Sequence, residues 1–142
     1  MSTTTDIQTD IEDLVEEFDF LDDWEERYRY LIDMGKALAP LAEEERNELT
    51  RVKGCVSRVW LVSEPGEAGR LGFRADSDAH IVRGLAALLM RIYSNRTPEE
   101  IRAVDAREVL ARIGLAEHLT PQRSNGLASM IGRIRMAAEA AA

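Results

Sequence analysis

The chain has 142 residues, enough for one domain with a single core, since a chain of this size buries roughly 68 to 70% of its unfolded surface on folding. A composition of 45% hydrophobic and 31% charged residues, with Gly 9 and Pro 4, is that of a soluble globular protein and excludes disordered or fibrous classes. Eighteen basic against 26 acidic side chains give a formal charge of −8, a field that repels phosphate backbones and anionic lipid, so neither nucleic acid nor a membrane surface is expected as a partner.

Residues 1–10, rich in Ser, Thr and Asp, read as a flexible N-terminal tail ahead of a single domain over 11–142. The apolar spacing Ile7, Ile11, Leu14, Val15, Phe18 steps along one helical face to about Leu21. Asp22 and Asp23 then offer a cap for a second helix carrying Trp24, Tyr28, Leu31 and Ile32, which Gly35 and Pro40 are expected to break. The pair is strongly acidic and reads as a solvated face. Between Arg51 and Asp78 the period changes. Val59–Val62 is a β-branched and aromatic run, Leu71, Phe73 and Ala75 alternate with polar or small residues, and Pro65, Gly66 and Gly69 lie between, which predicts an antiparallel hairpin. Its glycine spacing matches no phosphate-binding fingerprint.

From Ser77 the pattern is helical again, with Ser77 or Asp78 as cap and Ile81, Val82, Leu85, Leu88, Leu89, Ile92 and Tyr93 forming a central buried helix. Thr97-Pro98-Glu99-Glu100 is a capping box with proline at the first helical position, and Asp105 to Glu108 opens another short helix ending at Gly114. A last helix carries Leu127, Met130, Ile131, Ile134 and Ala138 on one face, with Gly126 and Gly132 expected at close-packing points and an Ala-rich end, 137–142, expected to fray. The fold class is therefore α+β, a small antiparallel sheet packed against a bundle of helices.

Little in this chain carries chemistry. No Gly-x-Ser-x-Gly elbow, phosphate-binding loop or His-Glu-x-x-His pair occurs. His80 and His118 read as a cap or surface partner; one cysteine excludes an intrachain disulfide and every cysteine-cluster metal site, and a zinc site on these two histidines would have to recruit carboxylates. No apolar run has the length of a membrane span, and Met1–Asp10 lacks the pattern of a secretory signal, so a cytoplasmic location is expected. What stands out is Cys55, in Arg51-Val52-Lys53-Gly54-Cys55-Val56-Ser57. It occupies a loop just before the first strand, Gly54 permits a sharp bend, and Arg51, Lys53 and Arg58 are cations that favour a thiolate. A buried, inert thiol with its basic neighbours turned away fits the same position. If reactive, it must exchange sulfur or a disulfide with another protein, because no resolving cysteine exists in the chain.

Three blocks resemble the SufE family of cysteine desulfuration proteins: Val52-Lys53-Gly54-Cys55-Val56-Ser57-Arg58-Val59-Trp60, Asp76-Ser77-Asp78-Ala79-His80-Ile81-Val82-Arg83-Gly84-Leu85, and Leu119-Thr120-Pro121-Gln122-Arg123-Ser124-Asn125-Gly126-Leu127. Their order and spacing also match, and the likeness covers nearly all of the chain beyond the tail. It implies a SufE/NifU-like two-layer fold and a sulfur acceptor for a pyridoxal phosphate dependent cysteine desulfurase of the SufS or CsdA type. The PLP resides on that partner, so no bound cofactor and no metal are expected here, and the chain is expected to have no independent turnover. Cys55 would take a persulfide sulfur and pass it toward an iron-sulfur scaffold. In similar proteins the resting thiol is tucked beneath its loop and swings out. The likeness sets Gly54, Ser57, Asp78 and Arg123 around the thiol as loop-positioning or partner-binding residues, and it implies a monomer or weak homodimer. Val56 and Arg58 depart from the glutamines common in the family. The rival readings are a non-catalytic interaction module on the same fold with an inert Cys55, and a peroxide-sensing thiol.

Overall fold

The computed structural model describes residues 6–54 and 57–141; Cys55 and Val56 lie outside the described residues. In chain order come α1 (Ile7–Asp19), α2 (Trp24–Ala37), a 3₁₀ turn (Glu43–Glu45), β1 (Val59–Pro65), a second 3₁₀ turn (Glu67–Gly69), β2 (Leu71–Ser77), α3 (His80–Tyr93), α4 (Pro98–Ala103), α5 (Ala106–Arg112), a third 3₁₀ turn (Leu115–His118) and α6 (Pro121–Ala141). This is the expected α+β arrangement.

β1 and β2 pair antiparallel, from Val59 opposite Ser77 to Pro65 opposite Leu71. Val59, Leu61, Phe73 and Ala75 are buried, so the period-2 pattern seats one face of the hairpin on the helices. Both strands are longer than the runs read from sequence. The outer edge of β1 is also covered, because Val52 N–H donates to the Val59 carbonyl at 2.8 Å and Leu61 N–H to that of Thr50 at 2.8 Å. The other edge meets Arg96, whose carbonyl accepts from Leu71 N–H at 2.7 Å. Neither edge is left bare.

α3 is the spine, buried continuously over residues 84–90, and α2 crosses it with backbone against backbone. A β-carbon on Gly84 would lie 2.2 Å from the Leu31 carbonyl oxygen, and one on Gly35 would lie 2.7 Å from the Gly84 nitrogen. Gly35 therefore does not break α2. It sits inside the helix, and its lack of a side chain lets the two axes close.

Three other expectations are corrected. α1 begins at Ile7, so residues 7–10 are not tail; Ile7 is buried, and the Asp10 carboxylate pairs with the guanidinium of Arg96, which is only 3% exposed. Arg96 also donates through Nε to the Ile92 carbonyl at 3.1 Å, so the ion pair ties α1 to the end of α3. Neither Ser77 nor Asp78 is the N-cap of α3, which is Ala79; Asp78 serves the loop described below, and the Ser77 hydroxyl donates to that loop while accepting from Ala79 N–H at 3.2 Å. Gly132 is not a packing point, since a β-carbon there meets nothing within 4 Å. The capping box at Thr97 is present as read, with Thr97 Oγ1 accepting from Glu100 N–H at 3.1 Å and Glu100 returning the bond at 2.9 Å.

The two glycine classes give opposite expectations. Gly84→Ala forces α2 and α3 apart and lowers unfolding free energy by about 1–3 kcal/mol, whereas Gly132→Ala fills open space on a helix and raises it by about 0.5–1 kcal/mol; urea titration of the two variants measures both. A second expectation concerns acid. Arg74 on β2 holds the Glu45 carboxyl down to about 2 through a side-chain hydrogen bond, so its stabilising contribution is fully present above the ordinary glutamate range and lost as pH falls through the folded value. Glu45→Gln accordingly lowers the melting temperature at pH 7, and the difference from wild type shrinks as pH falls from the ordinary glutamate range toward 2.

Candidate functional site

The segment that holds Cys55 is pinned at both ends. On its N-terminal side stands the Val52 to Val59 hydrogen bond, reinforced from α6 by Arg133, which donates to the Arg51 carbonyl at 3.1 Å and to that of Leu49. On its C-terminal side Ser77 Oγ donates to the Arg58 carbonyl at 2.7 Å, while Asp78 Oδ1 accepts from Arg58 N–H at 3.1 Å. The Asp78 N–H returns a bond to the Arg58 carbonyl at 3.3 Å, and the Arg58 guanidinium lies 4.0 Å from the Asp78 carboxylate. The end of β2 thus grips one post of the loop, and α6 the other.

Between the posts, Gly54 takes φ +89°, a left-handed conformation that side chains rarely adopt. A β-carbon there would also lie 2.7 Å from Ser129 Oγ on α6. The positive φ is what requires glycine, while the Ser129 hydroxyl can turn aside; the loop passes close over the helix.

Ser57, two residues after Cys55, opens onto a cleft of about 220 Å³. Val82 and Leu85 of α3 and Leu127 and Met130 of α6 form an apolar wall, and Thr120, Gln122 and Arg123 stand along it at the start of α6. Thr120 fixes that start: its hydroxyl oxygen accepts from Arg123 N–H at 3.2 Å and its carbonyl from Ser124 N–H at 2.9 Å. Arg123 itself is exposed. The cleft thus combines an apolar wall with a guanidinium, surroundings suited to a soft sulfur atom and the negative charge it carries when ionised.

Of the residues singled out from sequence, Gly54 and Ser57 flank the thiol position, Ser57 and Arg123 share the cleft, and Asp78 holds the loop's C-terminal post at Arg58; Cys55 itself is outside the described residues. The histidines are elsewhere in role. His80 is the exposed first residue of α3. His118 stacks on Trp24 with ring centroids 3.8 Å apart, and its carbonyl accepts from the Tyr28 hydroxyl, so it fastens the turn before α6 to α2. Ser129 and Arg133 escaped the sequence reading altogether; their spacing of four residues puts them one turn apart on one face of α6. Among the described residues no group of three or more His, Cys, Asp or Glu side chains is arranged to hold a metal ion, and no helix is long and apolar enough to cross a membrane.

Asp78→Ala removes the acceptor for Arg58 N–H, and Asp78→Asn keeps an oxygen there while removing the charge. Amide hydrogen exchange at Arg58 is therefore expected to accelerate about tenfold or more in the alanine variant, the equivalent of a lost hydrogen bond of ~1.5 kcal/mol, and less in the asparagine variant.

Comparison with known proteins agrees with this architecture. A solution structure of a hypothetical protein from Thermus thermophilus superposes with a TM-score of 0.76, covering 93% of this chain and 95% of that one at 24% identity, which establishes the fold. An uncharacterized SufE-like protein of Rhizobium etli is 52% identical over 128 residues, 88% of this chain and 86% of that protein. Another from Rhizobium meliloti is 46% identical over 134 residues, 92% and 96% of the two chains. The family model described as SufE, an Fe-S metabolism associated domain, matches residues 12–138. The chain belongs to the SufE family, whose domain is associated with iron-sulfur metabolism.

Proposed function

We propose that this protein is a sulfur acceptor and activator for a PLP-dependent cysteine desulfurase, with Cys55 as the accepting thiol, acting in the cytoplasm and handing its sulfur on for iron-sulfur cluster assembly. The observation that carries the reading is the doubly pinned loop, whose described residues on either side of Cys55 touch α6 at Gly54 and border the apolar cleft at Ser57. Membership of a family tied to iron-sulfur metabolism supports it.

The chemistry is a transfer of one sulfur atom without net oxidation. The Cys55 thiolate attacks the terminal sulfur of a persulfide, R–S–SH, on the desulfurase. A new S–S bond forms, the old S–S bond breaks, the donor cysteine leaves as a thiolate, and Cys55 becomes Cys55–S–SH with the proton still on the terminal sulfur. Arg123 lines the cleft and is the cation that favours the attacking thiolate, since Lys53 and Arg58 are already paired with Glu48 and Asp78. Passing the sulfur onward repeats the exchange with a second acceptor. The desulfurase supplies the cofactor chemistry, and this chain supplies a carrier that removes the product sulfur.

Incubation with a desulfurase of the SufS or CsdA type and L-cysteine is expected to add one sulfur atom to the wild-type chain by intact mass and to raise desulfurase turnover. Cys55→Ser is expected to lose both effects. A Cys55→Ala chain that stimulates as well as wild type would refute the proposal and leave a pure interaction module.

A further inference from the structure

Among the described residues three large hydrophobic side chains are strongly exposed: Phe20, Leu49 at 85% and Met136 at 66%. Single exposed apolar residues are ordinary, but Leu49 is displayed by a turn of unusual rigidity. Asn47 Oδ1 accepts from both Leu49 N–H at 2.9 Å and Thr50 N–H at 3.1 Å. The Thr50 hydroxyl donates to the Glu45 carbonyl at 2.6 Å and accepts from Asn47 N–H at 3.1 Å. Asn47 Nδ2 donates to the Glu44 carbonyl at 2.9 Å, and Arg51 N–H to the Asn47 carbonyl at 3.0 Å. The Leu49 carbonyl is held from α6 by Arg133, and Met136 lies three residues beyond Arg133, on the same helical face.

This turn is continuous with the thiol loop. Leu49 meets α6 at Arg133 and Gly54 meets it at Ser129, four residues apart, or about 6 Å along the helix. A standard protein interface covers about 800 Å² on each partner, a patch on the order of 16 Å in radius. A patch of that size centred on the loop at Gly54 therefore extends far enough to include the turn at Leu49. A residue whose backbone is already held before binding has less conformational freedom left to lose on docking, which favours it as an anchor.

We propose that Leu49, with Met136 on the α6 face that carries Arg133, anchors the sulfur-donating desulfurase by entering an apolar recess on that partner and so sets the register in which the Cys55 loop meets the donor persulfide. The proposal rests on the sulfur-acceptor reading above and adds the surface by which the partner is engaged. Leu49 binds and positions; it takes no part in the sulfur transfer itself.

The test compares wild type, Leu49→Ser, Met136→Ser and Leu49→Met as activators of the desulfurase over a range of concentrations, with persulfidation of Cys55 by glutathione persulfide as a partner-free control. Leu49→Ser is expected to raise the half-activating concentration about tenfold with maximal turnover unchanged. Met136→Ser is expected to raise it less, and Leu49→Met to stay near wild type. All four chains should react equally with glutathione persulfide. Activation by wild type together with an unchanged half-activating concentration in Leu49→Ser overturns the anchor and leaves the acceptor reading standing. Failure of wild type to activate removes both. If Leu49→Ser converts a sedimenting dimer of the chain alone to monomer while activation is unaltered, the occupant is a second copy and the proposal is wrong.

Discussion

The contact on which the site depends is the backbone crossing of α2 and α3. With Gly35 set against Gly84, the Leu31 carbonyl approaches so closely that no β-carbon fits between the helices. That approach fixes where α3 begins and brings Arg83, the residue before Gly84, within reach of two other elements. Its guanidinium donates to the Leu38 carbonyl at 2.7 Å and lies 3.6 Å from the buried carboxylate of Asp76. Asp76 in turn accepts from Leu41 N–H at 3.1 Å. The exit of α2, the end of β2 and the start of α3 are thereby locked as one unit. Ser77 and Asp78, next in the chain, are delivered at the height needed to grip Arg58. Because the pairing of Asp76 and Arg83 is buried, removing one partner alone leaves an uncompensated charge.

α6 serves the site as a girder from the other side. Over some three turns it contributes the polar start of the cleft at Thr120 to Arg123, the apolar wall at Leu127 and Met130, the close approach of Ser129 to Gly54, and the clamp of Arg133 on Leu49 and Arg51. Its own placement is set by His118 and Trp24 at one end and by burial of Ile131, Ile134 and Ala138 further along. One rigid element thus relates the turn at Leu49, the loop at Gly54 and the cleft, three features far apart in their chemistry.

Much of the architecture was legible because local rules agreed with global packing. The alternation at Leu71, Phe73 and Ala75 placed the hairpin, and the Thr97 to Glu100 box marked its helix. The thiol loop was legible through its motif. What escaped depends on partners distant in sequence. Asp10 looks like part of a polar tail until Arg96, 86 residues on, takes its carboxylate. Gly35 looks like a stop signal because nothing nearby in the chain announces Gly84 opposite it. Ser77 and Asp78 have the residue types and position of caps, yet the orphan carbonyl and N–H of Arg58 claim them first, 19 and 20 residues away. Gly132 shows the converse: its helical surroundings suggested a neighbour, and the solvent side of α6 has none.

The two posts of the thiol loop also set a leash. Cys55 is three residues from Val52 and three from Arg58, and a chain gains at most about 3.6 Å per residue, so the Cα of Cys55 can never stand more than roughly 11 Å from that of either mooring while both hold. On the proposed function, a donor protein must therefore bring its sulfur down to this surface instead of waiting for an arm to extend.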